Sequence, residues 1–406
     1  MFFDILLYSA SIKGQFTLGQ SSCESDERFG VSISKQSLDE RFHDGAVNFM
    51  RSLFEEQLDK QIGENMNPAF LEKFSRVRIK DATRFDLPEH LKGYFKGFGG
   101  KLTSGAGISI QYEYDLKNGK VLDFDITDAI RPDITDAQEK TGDIEAGDLI
   151  LRDLGYFSIN VLKAIIKSGA FMVSRLQTKI SVYEPNYQQI SFPQLYSWML
   201  KHKITHLQKH VLIGKDDKIP LRLIIDIVPE EVYQKRLKKI EQYNHKKGNQ
   251  TTDDYKARCR FNLMVTNVPD EDLPEENVYL LYKLRWQIEL IFKIWKSTCG
   301  IDKLQPMKYH RFICTLYAKL LLVLIHNQIF NVAQKRFYER YRKLLSRDKC
   351  FKTLIEHFAK TREWLSNRKD KTKDFLHDIV NMFSRNHWLE KRKKRTNFEE
   401  IFELFI

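Results

Sequence analysis

The chain has few cysteines and no pattern that would bridge them. Its five cysteines in 406 residues are an odd number and widely spaced, with no Cys-x-x-Cys pair. A disulfide framework or a four-cysteine zinc site is therefore not expected. The pattern instead predicts reduced thiols in a cytosol. Ten prolines and 19 glycines also exclude a collagen-like or low-complexity chain.

Long apolar runs are missing as well. The N-terminal segment MFFDILLYSASI is apolar, but Asp4 interrupts it and no basic segment precedes it, so we expect no signal peptide. Residues 316–330 contain Lys319 and His326 and are shorter than the roughly 20 residues of a membrane span. They predict a buried helix, and the chain is expected to be cytoplasmic.

Positive charge is present in excess. The 66 Lys and Arg residues against 54 Asp and Glu give a formal charge of +12, while 42% hydrophobic residues suffice for a folded core. The excess lies in residues 234–247, where Glu241 is the only acid, in residues 335–373 and in the run 391–395. These segments predict a surface for a polyanion, although a solvated helix face would look the same.

The N-terminal residues predict helices. Between residues 34 and 62, apolar residues recur mostly three or four positions apart, with a slip near Gly45. Two helices joined at His43-Asp44-Gly45 fit this pattern. A DNA-binding helix-turn-helix and a plain helical pair are both compatible with it.

The central residues predict a mixed sheet covered by helices. Basic and apolar residues alternate up to Asp81, and two more alternating segments flank Asn118-Gly119, a pair typical of a hairpin. The predicted strands are 76–81, 107–115, 120–127, 148–153 and 170–176, with a helix over 157–168. Residues 177–270, with strand-like segments and several prolines, predict a β-rich insertion, and the chain beyond 275 is expected to be mostly helical. The fold class is therefore α/β.

Two other groups of polar residues are weaker candidates. His202, His206 and His210 are four residues apart and would share a helix face, a spacing that can bind zinc. No Glu-x-x-His motif or nearby cysteine supports that reading. Four aspartates are expected at a strand edge and a turn: Asp123, Asp125, Asp128 and Asp133.

Residues 282–296, YKLRWQIELIFKIWK, are the most informative segment. At about 100° per residue, one face of a continuous helix would carry Tyr282, Arg285, Glu289 and Lys296, beside an apolar face. A carboxylate flanked by Arg and Lys predicts an anion site. Salt bridges from Glu289 to Arg285 or Lys293 are the structural alternative.

Two aspartates follow predicted strands, Asp81 before Ala82-Thr83 and Asp153 before Leu154-Gly155. Carboxylates at adjacent strand ends can converge, and with Glu289 they would supply the oxygen ligands that Mg²⁺ or Mn²⁺ prefers. Two such ions about 3.5–4 Å apart can activate water and stabilise the leaving oxygen of a phosphodiester. Either aspartate alone is more often a cap or turn residue.

Together these residues resemble the DDE transposases of bacterial insertion sequences that carry a Tyr-x2-Arg-x3-Glu-x6-Lys signature around the catalytic glutamate. The signature is complete as Tyr282, Arg285, Glu289 and Lys296, and the contexts of Asp81 and Asp153 also match. The resemblance covers about residues 70–335. It implies a ribonuclease-H-like mixed sheet with flanking helices, a β-rich insertion before the glutamate, and helical N- and C-terminal regions.

The resemblance also implies an activity, namely metal-dependent cleavage at terminal inverted repeats followed by strand transfer into target DNA. Asp81, Asp153 and Glu289 would be the catalytic residues and would bind two ions, Mg²⁺ or Mn²⁺. Four residues would contact DNA: Arg285, Lys296, Tyr282 through its hydroxyl, and Lys293 as a further candidate.

The implied partners are the inverted repeats and target DNA, held by a homodimer on paired ends at the bacterial nucleoid. Four regions are implied. Residues 1–70 would be a helical DNA-binding region, shorter than relatives usually carry, and residues 71–176 with 271–335 would form the catalytic domain. Residues 177–270 would be the insertion and residues 336–406 a basic helical region.

One departure from the family concerns Phe261. Hairpin-forming relatives stack an insertion tryptophan on a flipped base, whereas the corresponding strand here has Phe261-Asn262 and no tryptophan. Phe261 could stack on a base or belong to the core. Two other functions compete: a decayed or repurposed transposase that only binds DNA, and a ribonuclease-H-like nuclease that cuts without joining.

Overall fold

The computed structural model describes residues 2–12, 17–61, 71–100, 103–358 and 372–390. The chain divides into two units. Unit 1 comprises Met1–Ala69, Asp81–Arg131 and Trp286–Ile406, and unit 2 comprises Phe70–Lys80 and Pro132–Arg285. The predicted basic run 391–395 lies outside the described residues.

The described strands form one mixed sheet. In chain order they are β1 Val77–Leu87, β2 Ala106–Asp115, β3 Val121–Asp128, β4 Leu149–Arg152, β5 Phe171–Arg175, β6 Val182–Tyr183, β7 His206–Ile213, β8 Ile219–Ile227 and β9 Phe261–Thr266. Their order in the sheet is β3-β2-β1-β4-β5-β9-β8-β7-β6. β4 is parallel to β1 and β5, and the remaining described pairings are antiparallel. The predicted α/β fold with a mixed sheet is confirmed.

Helices account for most of the other described residues. They are α1 Phe2–Ser11, α2 Leu18–Phe29, α3 Lys35–Glu40, α4 Asp44–Asp59, α5 Asp133–Glu139, α6 Ile159–Lys167, α7 Phe192–Lys201, α8 Glu230–Lys247, α9 Asp253–Arg258, α10 Glu275–Lys283, α11 Trp286–Ser297, α12 Tyr309–Tyr341, α13 Arg347–Glu356 and α14 Thr372–Asn386. The predicted helical pair at residues 34–62 is present as α3 and α4. Val47, Met50 and Phe54 form the buried face of α4.

Helix α12 contains the apolar segment 316–330. By length and composition it could cross a membrane, but 83% of its apolar window is buried in the structure. That burial is typical of a core helix in a globular protein, as the sequence predicts. It packs against α1 and α4 in unit 1.

Residues 177–270, predicted to be β-rich, contribute β6 to β9 to this sheet instead of forming a separate layer, and they also contain α7, α8 and α9. In unit 2, β9 pairs antiparallel with β5, from Val173 opposite Thr266 to Arg175 opposite Met264. The core of this unit therefore combines side chains from both parts of the sheet, including Met172 and Leu223.

The three histidines do not share a helix face. α7 ends at Lys201, and Lys203 adopts a left-handed backbone with φ of 55°, which stops the helix. His206 and His210 then lie in β7. The predicted helical placement is wrong because the chain turns into a strand between the first histidine and the second.

Unit 2 buries charged side chains of β1. Residues Val77 to Lys80 pair in parallel register with Leu149 to Arg152 of β4. Lys80 Nζ lies 2.5 Å from Asp136 Oδ2 of α5, and neither side chain is exposed. Because a buried charge is tolerated only when it is paired, this contact fixes how α5 packs on β1.

Removing one partner of the Lys80–Asp136 pair should destabilise the protein strongly. In Lys80→Met the Asp136 carboxylate stays buried without that cation, so we expect the free energy of unfolding to fall by about 3–5 kcal/mol. Urea denaturation followed by circular dichroism measures the change. The double variant Lys80→Met/Asp136→Leu should recover most of it, and a single variant as stable as the wild type would contradict this role.

Candidate active site

The segment that carries the signature contains a break between α10 and α11. Leu284 and Arg285 lie between the two helices and donate their N–H groups to carbonyl oxygens three residues earlier, each at 3.1 Å. Such bonds form a tighter turn than an α-helix. The prediction of one continuous helix over 282–296 is therefore wrong, and Tyr282 and Glu289 belong to different helices and different units.

Unit 1 contains two of the predicted catalytic carboxylates, Asp81 and Glu289. Asp81 lies inside β1, which continues to Leu87, so the expectation that it ends a strand is wrong. Its Oδ1 accepts a hydrogen bond from the N–H of Ala82 at 2.8 Å. Glu289 is half-buried in the first turn of α11, where the helix dipole favours a negative charge.

The basic residues of α11 differ in exposure. Lys296 is half-buried, and its Nζ donates a hydrogen bond to the carbonyl oxygen of Arg84 at 2.7 Å. Burial lowers the pKa of Lys296, while Asp302 acts in the opposite direction. Lys293 is exposed, so it is the cation of this helix that is freely accessible to an anion.

Two exposed apolar residues flank Glu289 and were missed by sequence reasoning. Trp286 is 51% exposed and Leu290 is 50% exposed, whereas Ile288, Ile291 and Trp295 form the buried face of α11. Trp286, Leu290 and Lys293 are spaced i, i+4, i+7, so a helical projection could have found them. Exposed large apolar side chains on one face favour a contact surface.

Unit 2 contains the third carboxylate. Asp153 follows β4, as predicted, and its carbonyl oxygen accepts the N–H of Tyr156 at 3.0 Å in a short 3₁₀ turn. The side chain of Gln177 donates to the carbonyl oxygen of Leu154 at 2.9 Å and so braces that turn. The Asp153 side chain itself is half-buried.

Tyr282 and Arg285 are buried, at 2% and 6% exposure. The guanidinium carbons of Arg175 and Arg285 lie 5.7 and 5.8 Å from the centroid of the Tyr282 ring, within cation–π range. Burial raises the pKa of Tyr282, the two arginines lower it, and Asp153 raises it, with a net rise. The Tyr282 hydroxyl is therefore neutral at physiological pH.

Phe261 belongs to the core. It is 3% exposed in β9, and its ring centroid lies 6.1 Å from that of Phe192 and 5.8 Å from that of Tyr196. Of the two possibilities left by the sequence, the structure supports packing over stacking on a DNA base.

The three carboxylates are hard oxygen donors, the ligand type that Mg²⁺ and Mn²⁺ prefer. Asp81 and Glu289 belong to unit 1 and Asp153 to unit 2. Among the residues that the structure describes, no group of three or more His, Cys, Asp or Glu side chains is arranged to hold a metal ion. The histidines of β7 accordingly gain no support as zinc ligands.

The family model described as a transposase DDE domain matches residues 72–325. The chain therefore belongs to the DDE transposases of bacterial insertion sequences, and the predicted family and enzyme class are confirmed. Members of this family generally use divalent metal ions. The Tyr-x2-Arg-x3-Glu-x6-Lys subfamily stays a prediction.

Several curated transposases are similar to this chain over most of their length. The transposases of IS231B and IS231F, from two subspecies of Bacillus thuringiensis, berliner and israelensis, are 30% and 31% identical to it. These matches cover 92% and 91% of this chain and 81% of each relative. The transposase of IS1151 from Clostridium perfringens is 32% identical over 84% of this chain and 76% of its own length.

Among solved structures, a cryo-EM structure of the piggyBac transposase synaptic complex with hairpin DNA is similar. It matches with a TM-score of 0.44 and 11% identity, covering 98% of this chain and 77% of that chain.

The burial of Tyr282 favours a packing role for its ring over a contact between its hydroxyl and a phosphate. Tyr282→Phe keeps the ring, so we expect DNA affinity and stability close to those of the wild type. Tyr282→Ala should lower the free energy of unfolding by about 3–5 kcal/mol, because a buried aromatic ring is removed. Thermal denaturation and fluorescence anisotropy with labelled duplex measure the two effects. A several-fold loss of DNA affinity in a stable Tyr282→Phe would instead indicate a contact through the hydroxyl.

Proposed function

We propose that this chain cleaves the terminal inverted repeats of its own element and joins the freed 3′-hydroxyls to target DNA. The observation that carries the proposal is the set Asp81, Asp153 and Glu289 in a chain of the DDE family. The last residues paired in the parallel register of β1 with β4 are Lys80 and Arg152. Asp81 directly follows Lys80 in the chain, and Asp153 directly follows Arg152. That register supports a joint role for the two aspartates.

The proposed ligands of two divalent ions, Mg²⁺ or Mn²⁺, are the same three carboxylates. Their charge and oxygen chemistry fit those ions. When bound, such ions supply an activated water and stabilise the leaving oxygen of the phosphodiester. The part played by the protein is to hold the carboxylates on ordered backbone: inside β1, after β4 and in the first turn of α11.

DNA phosphates are proposed to bind Lys293 and Lys296. Lys293 is exposed, and Lys296 is held by the carbonyl oxygen of Arg84, which restricts where its ammonium group can lie. The burial of Arg285 and Tyr282 favours a different role for them, which is to fix the turn between α10 and α11 and thereby the start of the helix that carries Glu289.

The remaining features of the proposal concern the assembly and the regions of the chain. We propose that a homodimer holds paired ends at the nucleoid in the cytoplasm. Residues 1–70 and 336–406 would add DNA contacts to a catalytic domain formed by 71–176 with 271–335, and residues 177–270 would be its β-rich insertion.

The test is a nicking assay with the full chain, Mg²⁺ and a labelled duplex that ends in the inverted repeat of the element. Glu289→Gln removes the charge and keeps the shape, so we expect site-specific cleavage to fall by more than about 100-fold while DNA binding persists. Electrophoresis under denaturing conditions measures the cleaved strand.

Glu276→Gln is the matched control for this assay. Glu276 is an exposed acid in the first turn of α10, and the same substitution there should leave cleavage unchanged. Cleavage that survives Glu289→Gln would remove Glu289 from the site. Cleavage without any joined product would favour a nuclease over a transposase.

A further inference from the structure

Helix α8 is held to unit 2 by one face. The buried Tyr233 and the partly buried Leu237 and Ile240 pack in a small apolar cluster with Val228 and Cys259. Arg236 secures the same side of the helix, because Nη1 donates to the carbonyl oxygen of Phe261 at 2.8 Å and Nη2 to Asn262 Oδ1 at 2.6 Å.

The opposite face of α8 carries unpaired positive charge. At about 100° per residue, the side chains of four lysines lie within about 100° of one another: Lys235, Lys238, Lys239 and Lys246. We call these four residues the lysine stripe. All four are exposed, and within the described part of the chain none of them makes an ion pair or a hydrogen bond. Tyr243 borders the stripe and is 61% exposed.

A surface helix that needs its lysines only for solubility usually balances them with acids. Glu231 precedes Lys235 by four residues and Glu241 follows Lys238 by three, yet among the residues that the structure describes neither forms an ion pair. The helix dipole favours cations near the C-terminus and so accounts for Lys246. It does not account for Lys235, Lys238 and Lys239, which lie in the first ten residues of an 18-residue helix.

We propose that the lysine stripe binds the phosphate backbone of duplex DNA without reading its sequence. This inference rests on the proposed function, which brings DNA to the protein, and adds a contact surface far along the chain from the signature residues. The stripe spans 12 residues, from Lys235 to Lys246, or roughly 16 Å of helix. Phosphates of one DNA strand follow one another about every 3.4 Å along the duplex axis, so several lie within reach of a stripe of this length.

The composition of the stripe explains why the contact would be independent of sequence. Contacts to DNA phosphates position a protein on the duplex and carry no sequence information directly, and a lysine ammonium binds a phosphate as a point charge. The arginine of this helix, Arg236, is already used to anchor it. The stripe should therefore contribute equally to the inverted repeat and to any other duplex, including the target.

The experiment measures binding of the full chain to fluorescent duplexes by anisotropy across a series of KCl concentrations. EDTA is present so that cleavage does not intervene. One duplex carries the inverted repeat and a second of equal length has a shuffled sequence. In Lys235→Ala/Lys238→Ala/Lys239→Ala, the slope of log affinity against log salt should become shallower by about 2–3, because each phosphate contact adds about 0.9. The loss should be the same on both duplexes.

A control triple variant removes three exposed lysines elsewhere in unit 2, namely Lys167→Ala/Lys201→Ala/Lys215→Ala. It changes the net charge by the same amount but keeps the lysine stripe, so its salt slope should stay close to that of the wild type. A stripe variant that matches this control, or that loses affinity only for the inverted repeat, overturns the inference. A wild-type chain that binds neither duplex contradicts the proposed function itself. Circular dichroism verifies that both triple variants are folded.

Discussion

The buried charge on β1 is the constraint on which the arrangement of unit 2 depends. Arg78 and Lys80 point away from water, and each needs a carboxylate close by: Asp148 for Arg78 and Asp136 for Lys80. Burial alone would raise the pKa of Asp148, but the hydrogen bonds from Arg76 and Arg78 lower it below its ordinary value. Both acids come from segments that pack on β1. The pairing of charges therefore also holds β1 in its register with β4 up to Lys80, the residue before Asp81.

Cations serve three different purposes in this chain. Arg78 and Lys80 of β1 are neutralised by carboxylates inside unit 2. Arg236 donates its hydrogen bonds to the backbone of Phe261 and the side chain of Asn262 in β9. Lys296 is restrained by a carbonyl oxygen but keeps part of its surface. The lysine stripe has neither a carboxylate nor a hydrogen-bond partner among the residues that the structure describes. Net charge alone cannot distinguish these uses, because burial and partners decide which cations remain available to a polyanion.

Sequence patterns found the elements whose signals are local. The Asn118-Gly119 hairpin is present, and Gly119 adopts the left-handed φ of 71° that such a turn requires. The break after Lys283 was missed because Leu284 keeps a right-handed helical backbone, so the period of the side chains continues through the tighter turn. The length of β1 beyond Asp81 was missed because a polar residue inside a strand looks like the end of one. Tyr282 is buried and Lys293 is exposed. That difference depends on tertiary packing, which the spacing of residues along the sequence does not encode.

The order of the strands also bears on how this sheet avoids pairing with other chains. Its described ends are β3 and β6. β6 is only two residues long, and β3 carries Asp123, Asp125 and Asp128, which makes strand addition at either end unfavourable. Because β9 pairs with β5, strands β6 to β9 occupy an edge that five strands alone would expose. The extension therefore protects the protein against edge-to-edge aggregation, a benefit separate from any contact with DNA.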